Sequence, residues 1–168
     1  MSSPSHPLSR ALDPVARAAI AIAGTALVIM VGAQAWQVFA RYVLNASPGW
    51  TEPVALLLMS VAVMLGAAVA VRRESHFAFS GLAHAAPVPV QALLKTVSRL
   101  VILSSGLGLA VLGGQLTIDD WPVALAGAGI PAGLRFLALC VGGGLIAAFA
   151  LERLLTGDFV APAQAEET

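Results

Sequence analysis

Histidine and cysteine are the side chains that most often hold metals and haem, and their positions in this 168-residue chain do not suit that chemistry. Haem and metal sites inside a membrane need histidines that face each other from neighbouring helices. His6, His76 and His84 all lie outside the long apolar segments. Cys140 is the single cysteine, too few for an internal disulfide or a thiolate site. We therefore predict no catalytic residue, no metal site, no cofactor and no enzymatic activity.

The composition indicates a membrane protein. Hydrophobic residues make up 58% of the chain, above the roughly 45–50% of soluble domains, and only 11% of residues are charged. Nine Lys and Arg balance nine Asp and Glu. With no positive surplus to displace counterions from phosphates, nucleic-acid binding is excluded. So few charges also exclude a disordered chain.

Four apolar segments are each long enough to cross a bilayer, whose hydrocarbon core of about 30 Å takes about 20 helical residues. Because lipid offers the backbone no hydrogen-bond partners, these segments should be helices. We predict an all-α integral membrane protein with four transmembrane helices. The predicted spans are residues 18–40, 50–71, 100–118 and 132–151.

Capping signals mark the helix boundaries and the tails. Asp13 before Pro14 is typical of an N-cap followed by proline at the first helical position. Ser47-Pro48 repeats this signal before the second span, and Gly157 indicates a C-terminal stop. We predict a cytoplasmic tail over residues 1–13, a membrane domain over residues 14–157 and a disordered cytoplasmic tail over residues 158–168.

An amphipathic segment precedes the third span. Its apolar residues follow helical spacing, and they are Val90, Leu93, Leu94 and Val97. We expect this segment to lie as a helix along the cytoplasmic face before the chain turns into the third span.

Lysine and arginine predict the orientation, because positively charged segments stay in the cytoplasm. One side of the predicted membrane domain carries seven of these residues and the other side only two, so both termini should be cytoplasmic. The outer two are Arg41 and Arg135, and the inner seven are Arg10, Arg17, Arg72, Arg73, Lys95, Arg99 and Arg153.

The first span carries one feature of a secretory signal. Ala33-Gln34-Ala35 has the form of a signal-peptide cleavage site, and two arginines precede the apolar stretch. The stretch continues past Ala35 and is long enough to cross a bilayer, so we expect it to be retained as a first helix.

Small residues recur at four-residue spacing within the spans. The sets are Ala62, Gly66 and Ala70 in the second helix and Gly106, Ala110 and Gly114 in the third. Such faces let helices approach closely where lipid provides no hydrophobic force. They suit packing within this chain and packing against a partner equally well.

The central thirds of all four predicted spans contain no charged residue, whereas a transporter acting alone would be expected to bury some. Glu52 lies near the outer end of the second span. It is either a first-turn carboxylate favoured by the helix dipole or a contact with a polar group of a partner. Arg135 opposes the dipole at a helix start, so we expect a partner or a lipid phosphate beside it. Asp119-Asp120 should be a solvated outer loop.

Two sequence motifs point to a family. Gln37–Asn45 reads QVFARYVLN and is followed by Trp50-Thr51-Glu52, and Gly66–His76 reads GAAVAVRRESH. In this order they resemble the Q-x-F-x-R-Y…W-[ST]-E and G-A-x-x-A-x-R-x-x-x-H motifs of the small permeases (DctQ type) of tripartite ATP-independent periplasmic (TRAP) transporters. The resemblance covers about residues 14–155.

The resemblance implies a multi-pass subunit of the bacterial inner membrane with no transport site of its own. Such a subunit pairs with a large multi-span permease that carries the substrate and sodium sites of the symporter. A periplasmic binding protein delivers an organic acid, such as a C4-dicarboxylate, a keto acid or a sialic acid. The chain would then be a scaffold in contact with both proteins and with membrane lipids.

The candidate interface residues combine these motifs with the small face of the second helix. They are Arg41, Tyr42, Trp50 and Glu52 on the outer side, Ala62, Gly66 and Ala70 along the helix, and Arg72, Arg73 and His76 on the inner side. The alternatives are anchoring of the arginines to lipid headgroups and a solvated loop position for His76.

Two other functions are compatible with the sequence. A stand-alone homodimeric transporter would need an acid embedded in the membrane, and only Glu52 is available, near a span end. An accessory subunit of a membrane enzyme would likewise lack a site of its own. Neighbouring genes for a large permease and a binding protein would distinguish the TRAP interpretation from both.

Overall fold

The computed structural model describes residues 7–73 and 88–156, and these residues form four helices. The helices are α1 (Pro7–Tyr42), α2 (Thr51–Arg72), α3 (Val88–Asp119) and α4 (Leu134–Thr156). Each helix contains a segment long and apolar enough to cross a membrane, and the described residues contain no strand. The prediction of an all-α chain with four apolar spans is confirmed.

The helices pack in a row, in the order α1, α2, α4, α3. Helix α2 packs against α1 on one side and α4 on the other, and α4 also packs against α3. The two end helices, α1 and α3, therefore have one extensive interface each. Many bulky apolar side chains of all four helices remain exposed, as expected of a surface covered by lipid or by another subunit.

Helix α1 contacts α2 through a line of buried alanines. The line comprises Ala16, Ala19, Ala23 and Ala26, separated by steps of three and four residues. The first three share a core cluster with Leu65 and Val69 of α2. Steps of three and four residues are typical of helices that pack side by side at a shallow angle. Alanine at these steps lets the two backbones approach closely.

Adjacent glycines let α4 approach two neighbours at once. A β-carbon on Gly142 would lie 2.5 Å from the β-carbon of Met64 in α2, and one on Gly143 would lie 2.6 Å from the nitrogen of Ala110 in α3. A β-carbon on Gly144 would meet nothing within 4 Å. Both interfaces of α4 thus depend on the absence of a side chain at positions 142 and 143.

Two predicted helix boundaries are wrong. Helix α1 begins at Pro7, so Asp13 and Pro14 lie inside it. Asp13 is therefore not an N-cap, and its carboxylate pairs with Arg72 instead. The predicted amphipathic segment does not turn before the third span. It forms the first turns of the uninterrupted helix α3, because no glycine or proline breaks the chain between Val90 and Arg99.

The start of α2 and the end of α1 are set by local hydrogen bonds. Helix α2 begins at Thr51, three residues after Pro48, and the buried Thr51 hydroxyl donates to the Pro48 carbonyl at 2.9 Å. After α1, Asn45 takes a left-handed conformation with φ of 48°, and the Ala46 N–H donates back to the Ala40 carbonyl at 3.1 Å. The predicted tail over residues 158–168 lies outside the described residues.

Candidate functional site

The long axes of the four helices run between two ends of the molecule, which are distinct from the two end helices of the row. The Trp50 end comprises residues 43–50 and 120–133, which connect the helices. The Arg72 end comprises the beginnings of α1 and α3 and the ends of α2 and α4. Charged candidate residues lie at both ends and the aromatic candidates at the Trp50 end, while the spans between the ends are apolar.

The Trp50 end brings together the four residues predicted for the outer side. Arg41 and Tyr42 end α1, while Trp50 precedes α2 and Glu52 lies in its first turn. All four are exposed, and Tyr42 is 78% exposed. Arg41 donates to the Ser47 hydroxyl at 3.5 Å, at the limit of a hydrogen bond. Among the described residues no ion pair involves Glu52, so its carboxylate is available to a partner.

A small recess adjoins these residues. It has a volume of about 220 Å³ and is lined by Gln37, Val38, Arg41 and Tyr42. Three of the four are motif residues of the Q-x-F-x-R-Y run. The motif thus contributes both polar and apolar side chains to an accessible surface at the end of α1.

The two connections at the Trp50 end touch through glycines. Gly127 has φ of +84°, and a β-carbon there would lie 2.3 Å from the Gly49 carbonyl oxygen. Only glycine fits this conformation and this contact. Main-chain bonds between Leu125 and Ile130, at 2.7 Å, and between Ala132 and Val123, at 2.8 Å, fold residues 120–133 over the helix ends.

Arg135 finds its partner within the chain. Its Nη2 lies 3.0 Å from Oδ2 of Asp120, and its guanidinium lies 4.7 Å from the ring centroid of Phe136. The Arg135 side chain is still 48% exposed, so the expected contact with a partner protein or a lipid phosphate stays a prediction. Asp120 is half-buried and is the ion-pair partner of Arg135. The main-chain hydrogen bonds within residues 120–133 bring the start of α4 next to Asp120.

The Arg72 end contains a charged cluster that links all four helices, which we call the Arg72 cluster. It comprises Asp13 of α1, Arg72 of α2, Arg99 of α3, and Glu152 and Arg153 of α4. Arg72 donates to both carboxylate oxygens of Glu152, at 2.9 and 3.2 Å. Its Nη2 also lies 2.8 Å from Oδ1 of Asp13. Arg72 thus has partners inside this chain, and its predicted contact with a partner protein stays a prediction.

Sequence reasoning missed Glu152. The sequence feature that could have identified it is a carboxylate in the last turns of an apolar helix, where the helix dipole disfavours negative charge. Such a residue needs a nearby cation, and Glu152 is only 4% exposed.

The side chain of Arg73 is exposed, and His76 lies outside the described residues.

The two small faces have different surroundings. In α3, a β-carbon on Gly106 would lie 2.8 Å from the Ala147 nitrogen, so this face packs inside the chain against α4. In α2, Ala62 is buried, whereas a β-carbon on Gly66 would meet nothing within 4 Å. Gly66 lies on the same side of α2 as the exposed residues Glu52, Leu56, Met59 and Val63. This exposed side of α2 is open to lipid or a partner.

Four apolar helices in a row, with polar residues gathered at both ends, define a multi-pass membrane protein. The family model described as "Tripartite ATP-independent periplasmic transporters, DctQ component" matches residues 30–159. The match covers more than three quarters of the chain, so the protein belongs to this family of transporter components, and the resemblance predicted from its motifs is confirmed. No curated protein sequence matches the chain.

Proposed function

We propose that this chain is the scaffold subunit of a sodium-coupled, binding-protein-dependent transporter for organic acids. The membership of the DctQ family supports this most directly. A second support is the distribution of charge, because the helices contain no charged residue over residues 18–40, 53–71, 100–118 and 136–151. A subunit with that distribution has nothing in its spans with which to couple an ion gradient to a substrate.

The row arrangement fits a bracing role. A closed bundle would bury most of its apolar surface inside itself, but α1 and α3 each have one extensive interface, and the side of α2 with Leu56, Met59 and Val63 is exposed. We assign that exposed side of α2, which includes Gly66, to the large permease. A glycine there would let a partner helix approach closely.

We place the Arg72 end in the cytoplasm and the Trp50 end in the periplasm of the bacterial inner membrane. The support is the excess of lysine and arginine at the Arg72 end. A binding protein would then meet the Trp50 end, where Tyr42, Trp50 and Glu52 are exposed. The transported acid would be of the C4-dicarboxylate, keto-acid or sialic-acid type.

Reconstitution tests the proposal. The chain is placed in liposomes alone, with its large permease, and with the permease and the binding protein. Uptake of radiolabelled succinate, pyruvate and N-acetylneuraminate is then followed under a sodium gradient. We expect no uptake from the chain alone and sodium-dependent uptake of one acid from the full set. Uptake by the chain alone, or unimpaired uptake by the permease and binding protein without it, would contradict the scaffold role.

A further inference from the structure

Gln34 of α1 is a polar side chain inside an apolar span. It lies five residues past Ile29, the middle of the uncharged stretch 18–40, which is about 8 Å along the helix axis. The hydrocarbon core extends about 15 Å to each side of the membrane centre, so this position falls within it. Gln34 is exposed, and among the described residues no hydrogen bond involves its amide.

Lipid cannot satisfy this amide. Hydrocarbon offers no hydrogen-bond partner, so an amide placed there without one is costly. The Cα–Cβ bonds of a helix tilt toward its N-terminus, and α1 begins at the Arg72 end. The Cα–Cβ bond of Gln34 therefore tilts toward the middle of the membrane, away from the nearer surface. Glutamine in membranes hydrogen-bonds across helix interfaces, so this position favours a protein neighbour.

The packing of α1 on α2 fixes the face on which Gln34 lies. The buried alanines of α1 continue in steps of three and four residues toward the Trp50 end, as Ala19, Ala23, Ala26, Met30, Ala33, Gln37 and Ala40, all buried or half-buried. A matching line runs along α2, as Thr51, Ala55, Leu58, Ala62, Leu65 and Val69. These two lines are the contact positions of the two helices.

Gln34 shares a face with the exposed side of α2. In α1, Gln34 and Arg41 come directly after contact positions. In α2, Glu52, Met59 and Gly66 also come directly after contact positions. Helices α1 and α2 run in opposite directions, and in an antiparallel pair of right-handed helices such residues flank the interface on the same side. We call these five residues the Gln34 face.

The Gln34 face combines an amide in the membrane with charges of both signs at its rim. Arg41 and Glu52 are exposed, and no ion pair among the described residues involves either of them. A β-carbon on Gly66 would meet nothing within 4 Å, so the face has open space there. A lipid phosphate would complement Arg41 alone. A protein segment can complement the amide and both charges together.

We propose that the Gln34 face docks one transmembrane helix of the large permease, and that Gln34 forms a hydrogen bond with a polar side chain of that helix. This inference rests on the proposed scaffold function and extends the interface from α2 onto α1. The partner helix presents a hydroxyl, amide or carboxyl group opposite Gln34. Near the Trp50 end it presents an acidic residue to Arg41 and a basic residue to Glu52.

Photo-crosslinking in native membranes tests the docking face. A benzophenone amino acid replaces either Leu27, which is seven residues before Gln34 and on the same side of α1, or Ile29, which is on the opposite side. Both positions are exposed and lie at similar depth. We expect an adduct with the large permease from Leu27 and none from Ile29. Three results at Leu27 would overturn the proposal: an adduct with a second copy of this chain, no protein adduct, or no more permease adduct than at Ile29.

Gln34→Met tests the hydrogen bond, because it removes the amide and keeps the length of the side chain. It should weaken co-purification with the permease about 3- to 20-fold, the effect of losing one hydrogen bond between helices in a membrane. Gln115→Met, at an exposed glutamine in α3, is the matched control and should have no effect. Unchanged co-purification of Gln34→Met, or an equal loss from both variants, would contradict the role of Gln34.

The docking face and the scaffold function can fail separately. Crosslinking and co-purification measure association, whereas the reconstitution experiment measures uptake. Sodium-dependent uptake that needs this chain, without an adduct from Leu27, would refute the Gln34 face alone. Full uptake without this chain would refute the scaffold role, even where Leu27 still crosslinks to the permease.

Discussion

Gly143 of α4 and Ala110 of α3 meet backbone to backbone, because a β-carbon on the glycine would lie only 2.6 Å from the alanine nitrogen. The same β-carbon would lie 2.8 Å from the Gly106 carbonyl oxygen. Neither atom can rotate away as a flexible side chain could. The approach of α3 and α4 is therefore limited by main-chain atoms and tolerates no added methyl group.

Gly143→Ala should thus destabilise the chain by about 1–3 kcal/mol, the usual cost of overpacking. Gly144→Ala is the matched control at the next position, where a β-carbon meets nothing within 4 Å. That control should be neutral, or stabilising by up to about 1 kcal/mol from helix propensity. Thermal unfolding of the purified chain in detergent measures both, and equal melting temperatures would contradict the close approach.

Asn45 should tolerate glycine but not a β-branched residue. Its φ of 48° lies in the left-handed region, which asparagine and glycine adopt readily. Asn45→Val should cost about 1–2 kcal/mol, while Asn45→Gly should keep the turn that brings Ala46 back to Ala40. Circular dichroism melts of the two variants compare them. A melting temperature equal for valine and glycine would mean that the turn does not need this conformation.

Gly66→Leu tests the assignment of the exposed side of α2 to the large permease. Because the space beside Gly66 is empty, the variant should insert and fold normally, as judged by gel filtration. Overpacking a close contact costs about 1–3 kcal/mol, so binding to the permease should weaken roughly 5- to 150-fold. Gly108→Leu in α3, also beside empty space, is the control. Equal co-purification of both variants with the permease would show that the interface does not lie on the exposed side of α2.

Glu52→Gln separates a partner contact from a helix-dipole role. Glu52 lies on the side of α2 that we assign to the permease. If its carboxylate meets a cation of the permease there, the substitution should reduce co-purification about tenfold or more, because it leaves the partner's charge unpaired. The melting temperature of the chain itself should hardly change, since a first-turn dipole interaction contributes about 0.3–1 kcal/mol. Asp119→Asn should leave co-purification intact. If Glu52→Gln does so too, Glu52 has only the local role.

Reporter fusions test the orientation. The excess of lysine and arginine predicts that the Arg72 end lies in the cytoplasm. Alkaline phosphatase fused after Gly127 should therefore be active, and fusions after His84 or Gly157 should be inactive. Green fluorescent protein at the same three positions should give the reverse pattern. An active phosphatase after Gly157 would contradict cytoplasmic termini.

The sequence by itself determined the number of membrane-spanning helices and the family. Both rest on local properties, since a bilayer crossing needs about 20 consecutive apolar residues and the motif from Gln37 to Glu52 is nearly continuous in the chain. The sequence also contained the signal for Asn45, a residue suited to a left-handed helix end. The buried alanines of α1 were likewise visible as steps of three and four residues, although they do not follow the four-residue spacing of Gly106, Ala110 and Gly114.

The tertiary structure decided which residues face one another. Asp13 fits an N-cap by its neighbours alone, but the packing of α1 on α2 brings Arg72 within 2.8 Å and the helix continues through it. Arg72 and Glu152 lie 80 positions apart, and only the placement of α4 beside α2 pairs them. Spacing in a helix predicts a face, but not whether a neighbour covers it. That is why Gly106 is buried and Gly66 is open, although both belong to faces with the same four-residue pattern.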